Sequence, residues 1–168
     1  MKRLLPMILL SAFMTLLTCP GICQQIQLGQ TWLNQSLNGE IGPNILITDF
    51  RFQLDAPDAG ATYRARLHDD ALIWQRLEVM PKRGNVSAFY SLDRLNENWL
   101  NGAGIRFSQS QGIGRSIELM GGVYDRGFCV ETACSVERSG FVSRIGYEYR
   151  KLGDLRWWGP SVSLGVTW

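Results

Sequence analysis

The clearest potential for acid–base chemistry in this sequence lies in one histidine and its neighbours. His68 is the single histidine among 168 residues, and Asp69 and Asp70 follow it directly. A histidine is the usual general base near neutral pH, and with Ser91 or Ser110 it could activate a hydroxyl for acyl transfer or hydrolysis. No motif links either serine to the histidine, and the three residues have the composition of a polar hairpin turn. We therefore predict no catalytic residues, no cofactor and no enzymatic activity.

Four cysteines are present, and their spacing bears on redox and metal chemistry. Cys19 and Cys23 lie within an N-terminal export signal, which leaves Cys129 and Cys134 in the mature chain. A pair of cysteines in an exported chain predicts a disulfide, here closing a loop over residues 130–133. By the chain-entropy argument such a short bridge would stabilise the fold by roughly 2 kcal/mol. A zinc site is the alternative, but two thiols with no histidine nearby do not complete four ligands, so we predict no metal site.

The N-terminus has the organisation of a secretory signal. A basic pair precedes an apolar run over residues 4–17, and Gly21 and Cys23 place small residues where signal peptidase cleaves. We expect a signal peptide over residues 1–23. A lipoprotein signal with acylation at Cys19 is the alternative. No later stretch has the ~20 apolar residues of a membrane-spanning helix, so integral contact with a membrane would require strands.

The charge balance of the mature chain excludes one class of partner. Without Lys2 and Arg3 the chain has 15 basic and 15 acidic residues, and thirteen of the basic residues are arginines. A nucleic-acid-binding protein would carry a basic excess, so we predict no nucleic-acid partner. Arginine is favoured over lysine where a charge must pair in a confined polar space. The remaining length, about 145 residues, is enough for one domain.

Turn-forming residues recur about every ten residues, and no segment after the signal has the apolar periodicity of an amphipathic helix. This pattern predicts an all-β domain over residues 44–168 with eight antiparallel strands. Residues 24–43 are an N-terminal extension or contain an extra strand at residues 26–37. The predicted strands cover residues 44–54, 61–67, 71–80, 85–92, 98–108, 115–126, 140–150 and 158–168.

These strands alternate between an apolar row and a polar row. Phe141, Ile145 and Tyr147 share one face, and Arg144 and Glu148 share the other. A soluble antiparallel sheet turns its apolar face inward, whereas an outer-membrane barrel turns it outward. The export signal, the arginine-rich rows and the aromatic strand ends favour the barrel, with Trp157 and Trp158 as interfacial anchors. We predict that paired charges fill the lumen, supplied by Arg51, Arg64, Arg106, Glu118, Arg126, Arg144, Glu148 and Arg150.

Two segments resemble sequence signals of small Gram-negative outer-membrane β-barrel proteins, a group that includes the OmpA transmembrane domain and OmpX. The ending Val166-Thr167-Trp168 is similar to the insertion signal read by the barrel-assembly machinery, and residues 90–99 look like a periplasmic hairpin. The resemblance covers roughly residues 44–168. Two positions depart from the pattern, because Ser163 stands where glycine is usual and Trp168 where phenylalanine is usual.

The sequence therefore predicts a closed, up-and-down transmembrane β-barrel of the outer membrane, with a structural or surface-interaction role in the cell envelope. Outer-membrane lipid and the barrel-assembly machinery are the partners implied, and an extracellular partner is left open. One alternative is a soluble periplasmic or lipid-anchored barrel that binds a hydrophobic ligand. The other is an outer-membrane enzyme that modifies lipids through His68. Counting strands back from a periplasmic C-terminus puts residues 128–139 in a periplasmic loop.

Overall fold

The computed structural model describes residues 23–69, 71–81, 84–95 and 98–168, and most of these residues lie in antiparallel strands. The predicted signal peptide lies outside the described residues except for Cys23, which is the first residue of a strand. Within them, no helix has the length and apolar character needed to cross a membrane. The strands are β1 (Cys23–Leu37), β2 (Glu40–Ile41), β3 (Ile45–Asp55), β4 (Ala59–His68), β5 (Ala71–Pro81), β6 (Val86–Leu95), β7 (Asn98–Ser110), β8 (Arg115–Tyr124), β9 (Gly127–Arg138), β10 (Phe141–Leu152) and β11 (Leu155–Thr167).

Ten of these strands form a closed wall. Strands β3 to β11 pair in chain order, β1 pairs with β3, and β11 returns to pair with β1. The β1–β11 seam extends from Gln25↔Thr167 to Leu37↔Leu155, and the backbones of Gln24 and Trp168 exchange two hydrogen bonds of 3.0 Å. The short β2 pairs with the end of β1 and stands outside the ring. Closure gives the backbone groups along the seam hydrogen-bond partners, as a wall in contact with hydrocarbon requires.

The predicted closed antiparallel barrel is confirmed, but the predicted count of eight strands is too low. The eight expected strands correspond to β3–β8, β10 and β11, and the structure adds β1 and β9. Strand β1 comes from the segment left as an extension, and pairs with β3 over eleven positions. Strand β9 occupies the region expected to be a periplasmic loop. It pairs with β8 and β10 along its length, so a two-residue connection joins β8 to β9 and another joins β9 to β10.

The connections form two sets, one at each end of the barrel. Residues 24 and 168 lie at the same end as connections 56–58, 82–85, 111–114 and 139–140, which we call the terminal end. Connections 38–44, 69–70, 96–97, 125–126 and 153–154 lie at the other end, which we call the distal end. The C-terminus and the hairpin of residues 90–99 are therefore at opposite ends, so the prediction that both are periplasmic is wrong.

The strands turn their apolar rows outward. Phe141 and Leu164 are 68% and 66% exposed on the exterior. In contrast, Arg144 and Glu148 on the interior are 8% and 2% exposed. The exterior is consequently covered by large apolar side chains, among them Leu28, Trp32, Leu46, Leu77, Val79, Val86, Tyr90, Ile105, Leu119, Val123, Val130, Ile145, Tyr147, Val162, Val166 and Trp168.

Apolar residues also occupy part of the interior. Trp74 and Trp157 are buried and meet edge to face with ring centroids 6.4 Å apart. The prediction of Trp157 as an interfacial anchor is therefore wrong, because alternation along β11 turns it inward while Trp158 faces the exterior. Other buried apolar side chains in this cluster are Leu33, Ile47, Met80, Phe89, Met120, Tyr124, Cys129 and Leu152.

Candidate functional site in the barrel interior

The interior holds two groups of ion pairs. We call the first the Asp49 group, because Asp49 accepts hydrogen bonds from two neighbouring arginines. Its Oδ2 atom lies 2.7 Å from Nη2 of Arg64 and 3.0 Å from Nε of Arg66. Arg66 also pairs with Glu148 on the facing wall, and Arg64 lies 2.9 Å from a carboxylate oxygen of Glu131. These contacts join β3 and β4 to β9 and β10 through the lumen.

The same group continues toward β8. Arg144 lies 2.8 Å from Glu118 and 3.0 Å from Glu131, so it bridges two carboxylates. Arg51 is 3.9 Å from Glu118 and donates a 3.2 Å hydrogen bond to Gln53. The group thus contains four arginines and four carboxylates, and none of their side chains is more than 17% exposed. Because each buried charge has an opposite charge beside it, the cost of removing these ions from water is partly offset.

The second set, the Asp93 group, lies across β5, β6, β7 and β10. Glu78 pairs with Arg106 and lies 2.8 Å from Nη2 of Arg76. Asp93 is 3.1 Å from Nη1 of Arg150 and 3.6 Å from Nε of Arg76. With the Asp49 group this makes seven arginines and six carboxylates, so the interior is close to charge balance.

Trp74 lies between the two groups. The guanidinium carbons of Arg66 and Arg150 are 4.9 Å and 4.7 Å from its ring centroid, within the range of cation–π contacts. Its indole N–H donates a 3.2 Å hydrogen bond to Asp93. Trp74 thereby contacts Arg66 of the Asp49 group as well as Arg150 and Asp93 of the Asp93 group.

The structure places seven of the eight predicted lumen charges inside the barrel. Arg126 is the exception, because β8 ends at Tyr124 and Arg126 is exposed in the following turn. Six further charged residues lie in the interior and are absent from the predicted set of lumen charges, although the alternation of each strand carries a signal for them. These residues are Asp49, Arg66, Arg76, Glu78, Asp93 and Glu131.

The predicted disulfide between Cys129 and Cys134 is wrong. Both thiols are free, and Cys129 is buried in the interior while Cys134 is exposed on the exterior. The two residues are five positions apart in β9, and residues separated by an odd number of positions in a strand point to opposite faces. Across the described residues there is no group of three His, Cys, Asp or Glu side chains suited to a metal ion.

The structure does not bring His68 and the two candidate serines together. His68 is partly exposed at the distal end of β4, where its Nδ1 lies 3.2 Å from the Leu46 carbonyl and its Nε2 lies 3.6 Å from Asp69. Ser91 is buried opposite Glu78, and Ser110 is exposed at the terminal end of β7. Asp70 lies outside the described residues. The described geometry thus contains no serine–histidine pair.

Two cavities of different size border the Asp49 group. A cavity bordered by Gln27, Asp49, Arg51, Arg64 and Arg144 measures about 20 Å³, enough for roughly one water molecule. A larger cavity of about 250 Å³ lies at the distal mouth, where Ile45, Ile73 and Leu95 form part of its wall and Arg66 and Trp74 border it.

The terminal signal residues lie at the end of the β1–β11 seam. Val166 pairs with Ile26 of β1 and Phe141 of β10, and Trp168 exchanges backbone hydrogen bonds with Gln24. The last residues of the chain therefore take part in closing the wall. Both side chains are exposed on the exterior.

Comparisons with known proteins give similarity at the level of architecture. No protein-family model matches the chain, and no curated protein matches it in sequence. The chain is similar to Ail, the attachment invasion locus protein of Yersinia pestis, in a structure solved in complex with the heparin analogue sucrose octasulfate. The identity is 14% and the TM-score is 0.48, and the match covers 88% of this chain and 99% of that chain. A second structure of Ail gives 12% identity and a TM-score of 0.42 over 87% and 98%. The translocator domain of the autotransporter NalP from Neisseria meningitidis gives 11% identity and a TM-score of 0.47 over 96% and 94%.

The geometry defines the class of the protein. A closed antiparallel wall, an exterior of large apolar side chains and an interior of paired charges form the inverse of a soluble barrel, and this arrangement is stable where the surroundings are hydrocarbon. The chain therefore has the architecture of a transmembrane β-barrel.

Proposed function

We propose that this protein is a non-conducting outer-membrane barrel with a structural or surface-interaction role. The observation that carries the proposal is the occupied lumen, in which the Asp49 and Asp93 groups extend from wall to wall. Arg66 and Glu148 pair from facing strands, and the cavity beside Asp49, Arg64 and Arg144 measures only about 20 Å³. A barrel of this kind works through its exterior and its rims.

The energetics of the ion pairs support a closed lumen. A conducting pathway would need Arg66, Arg64 or Arg144 to leave its carboxylate partners. Breaking a buried pair by removing one partner typically costs about 3–5 kcal/mol, because an uncompensated charge is left behind. Since Arg66 and Arg144 each contact two carboxylates and Arg64 contacts three, opening would break several pairs together.

The distal end offers the surface for contacts outside the cell. Four of its five connections are two residues long, whereas the connection between β1 and β3 has seven residues, 38–44, and includes β2. Ile41 in this connection is 78% exposed. We infer that the distal end faces the cell exterior and that residues 38–44 form its most protruding contact element.

The two alternatives receive less support from the geometry. An enzyme that modifies lipids would need a nucleophile or activated water beside His68, whose described polar contacts are with a backbone carbonyl and Asp69. A soluble barrel that binds an apolar ligand would need an apolar lumen and a polar exterior. The rows of this barrel have the reverse orientation.

Current measurement across a planar lipid bilayer tests the main proposal. Refolded protein is added to the bilayer, and a general porin in the same apparatus shows that open channels are detected. We expect the barrel to insert, as shown by heat-modifiable gel mobility of the same preparation in vesicles, without giving steady current steps. Steady open-channel current from folded wild-type protein would contradict the proposal.

Epitope accessibility on intact cells tests the orientation. A tag inserted between Glu40 and Ile41 is expected to bind antibody on intact cells. The matched tag between Gly112 and Ile113, in an exposed turn of the terminal end, should bind only after the outer membrane is permeabilised. The reverse labelling pattern would show that the distal end faces the periplasm.

A further inference from the structure

The seam between β5 and β6 is shorter than the seams on either side of it. Pairing between these strands ends at Val79↔Tyr90. Strand β4 nevertheless stays paired with β5 as far as Pro81, and β7 stays paired with β6 as far as Val86. The two strands therefore separate toward the terminal end and leave a wedge-shaped opening in the wall, which we call the β5–β6 cleft.

The cleft is large, and its described lining is uncharged. Its volume is about 590 Å³, and none of the eleven described residues that line it carries a charge. Leu54, Val79 and Tyr90 lie where the cleft meets the exterior, and the side chains of Met80 and Phe89 are buried at its inner end. The cleft thus leads from the lipid-facing surface toward the barrel interior.

Phe89 closes the inner end of the cleft. Its ring lies over the backbone of Gly104 and Gly122, where an added Cβ on either glycine would meet its Cζ atom at 2.6 Å or 2.7 Å. On the other side, the guanidinium carbon of Arg76 is 5.1 Å from the ring centroid. A molecule entering from the exterior would therefore meet an aromatic wall before it reached the ion pairs.

The chemistry of the lining selects a hydrocarbon occupant. The lining has one side-chain hydroxyl, on Tyr90, and that group already donates a 2.6 Å hydrogen bond to Asn101. A head group or a charged ligand would find no ionic partner among the lining residues that the structure describes. The cleft is continuous with the exterior that contacts hydrocarbon, where filling it with water would be unfavourable and filling it with an alkyl chain would bury apolar surface.

We propose that the β5–β6 cleft binds one acyl chain of a membrane lipid, which enters sideways through the wall and ends against Met80 and Phe89. The barrel then has a lateral lipid site in addition to its closed lumen. The site depends on membrane insertion but not on whether the barrel conducts ions, so the bilayer-current experiment and the experiment below can fail independently.

Photolabelling with a reactive lipid tests this site. The protein is reconstituted into vesicles containing phosphatidylcholine with a diazirine near the end of one acyl chain, irradiated, and mapped by peptide mass spectrometry. We expect adducts on Met80 and Phe89. Met120 is the internal control, because it is equally buried in the interior but does not line the cleft, and it should carry no adduct.

Substitutions that fill the cleft are compared with a matched substitution outside it. Ala88→Trp places a bulky ring in the lining and should lower labelling of Met80 by about tenfold. Ala103→Trp adds the same ring on the exterior of β7, outside the cleft, and should leave labelling unchanged. Ala61→Phe, in the lining on β4, is a second filling variant if Ala88→Trp does not give the heat-modifiable folded form.

Two outcomes would overturn the proposal. The first is equal labelling of Met80 and Met120 in the wild-type protein, which needs no variant. The second is labelling of Met80 that both filling variants leave unchanged while they remain folded.

Discussion

Arg66 and Glu148 are 82 positions apart in the chain, on β4 and β10, and their side chains form an ion pair across the lumen. Arg66 is fixed from its own side by Asp49, and Glu148 has Arg64 3.7 Å away. The contact links β4 and β10, two strands that are not hydrogen-bonded neighbours in the wall. It makes the charged interior a stabilising element and gives the first prediction.

Removal of the Glu148 carboxylate should destabilise the barrel. In Glu148→Ala, Arg66 and Arg64 remain buried with fewer negative partners, and we expect the free energy of unfolding to fall by about 3 kcal/mol. Urea titration in lipid vesicles, followed by heat-modifiable gel mobility, measures this change. Glu137→Ala, at an exposed position near the end of β9, is the matched control and should change the free energy by less than about 0.5 kcal/mol. Equal effects of the two substitutions would contradict the stabilising role.

The closing seam should depend on a glycine at position 165. A Cβ at Gly165 would collide with the backbone oxygen of Ile26 on β1, whereas a Cβ at Gly121 has no atom within 4 Å. Gly165→Ala should therefore lower the free energy of unfolding by about 2 kcal/mol and reduce the folded fraction after refolding. Gly121→Ala should be neutral or slightly stabilising, because glycine weakens a strand interior. Equal folded yields for the two variants would show that the seam tolerates the added methyl group.

The two cysteines of β9 should differ in reactivity. In a chain that starts at Gln24 and is folded in detergent, N-ethylmaleimide should modify Cys134 on the exterior and leave Cys129 unmodified. Intact-mass measurement should give one adduct on the folded protein and two after unfolding, with no effect of a reducing agent. Cys134→Ser should abolish the adduct on the folded protein. A mass two hydrogens lower that is restored by reduction would instead demonstrate the disulfide.

Trp74 should contribute more to stability than an exterior tryptophan. Trp74→Leu removes an aromatic surface shared by Arg64, Arg66 and Arg150 and the hydrogen bond to Asp93, so we expect a loss of about 3 kcal/mol.

Trp99→Leu is the matched control for this substitution, because Trp99 is exposed on the exterior. It should cost less than about 1 kcal/mol, in line with surface substitutions in general. Denaturant titration of both variants in vesicles makes the comparison. A larger loss from Trp99→Leu would place the stabilising aromatic contacts on the exterior.

His68→Ala should leave lipid A chemistry unchanged. Mass spectra of lipid A from cells that express the wild-type protein, the variant or no copy of the gene should be the same, because His68 has no nucleophile beside it in the described residues. A modified lipid A that is present with the wild-type protein and absent from the other two strains would assign an enzymatic role to this histidine.

The alternation of apolar and polar residues was sufficient to predict the barrel and the orientation of most strands. It failed for β1, where Gln24, Gln25, Gln27 and Gln30 place amides on both faces and blur the two rows. It was overlooked in β9, where Val130 and Cys134 face outward and Cys129 and Ala133 face inward, because the two cysteines suggested a closed loop.

The aromatic residues show a second limit of the sequence signal. Trp74 and Trp157 are inside, although tryptophan in such barrels is expected at the membrane interface. Nothing in the residue type distinguishes them from Trp158, and only the strand register sets which side each one faces. The partners of Trp74, from β4, β6 and β10, are brought to it by closure of the ring, which no local pattern encodes.

Because Gln24 and Trp168 lie side by side, the chain could be given new ends without any change in which strands pair. These residues are held as cross-strand neighbours by paired backbone hydrogen bonds of 3.0 Å. A short peptide linking them could therefore replace an existing hairpin, with new chain ends cut at residues 125–126. Such a circular permutant would place its termini at the distal end and retain every strand pairing of the ring. It would test whether the folded barrel depends on the order in which the strands follow one another in the chain.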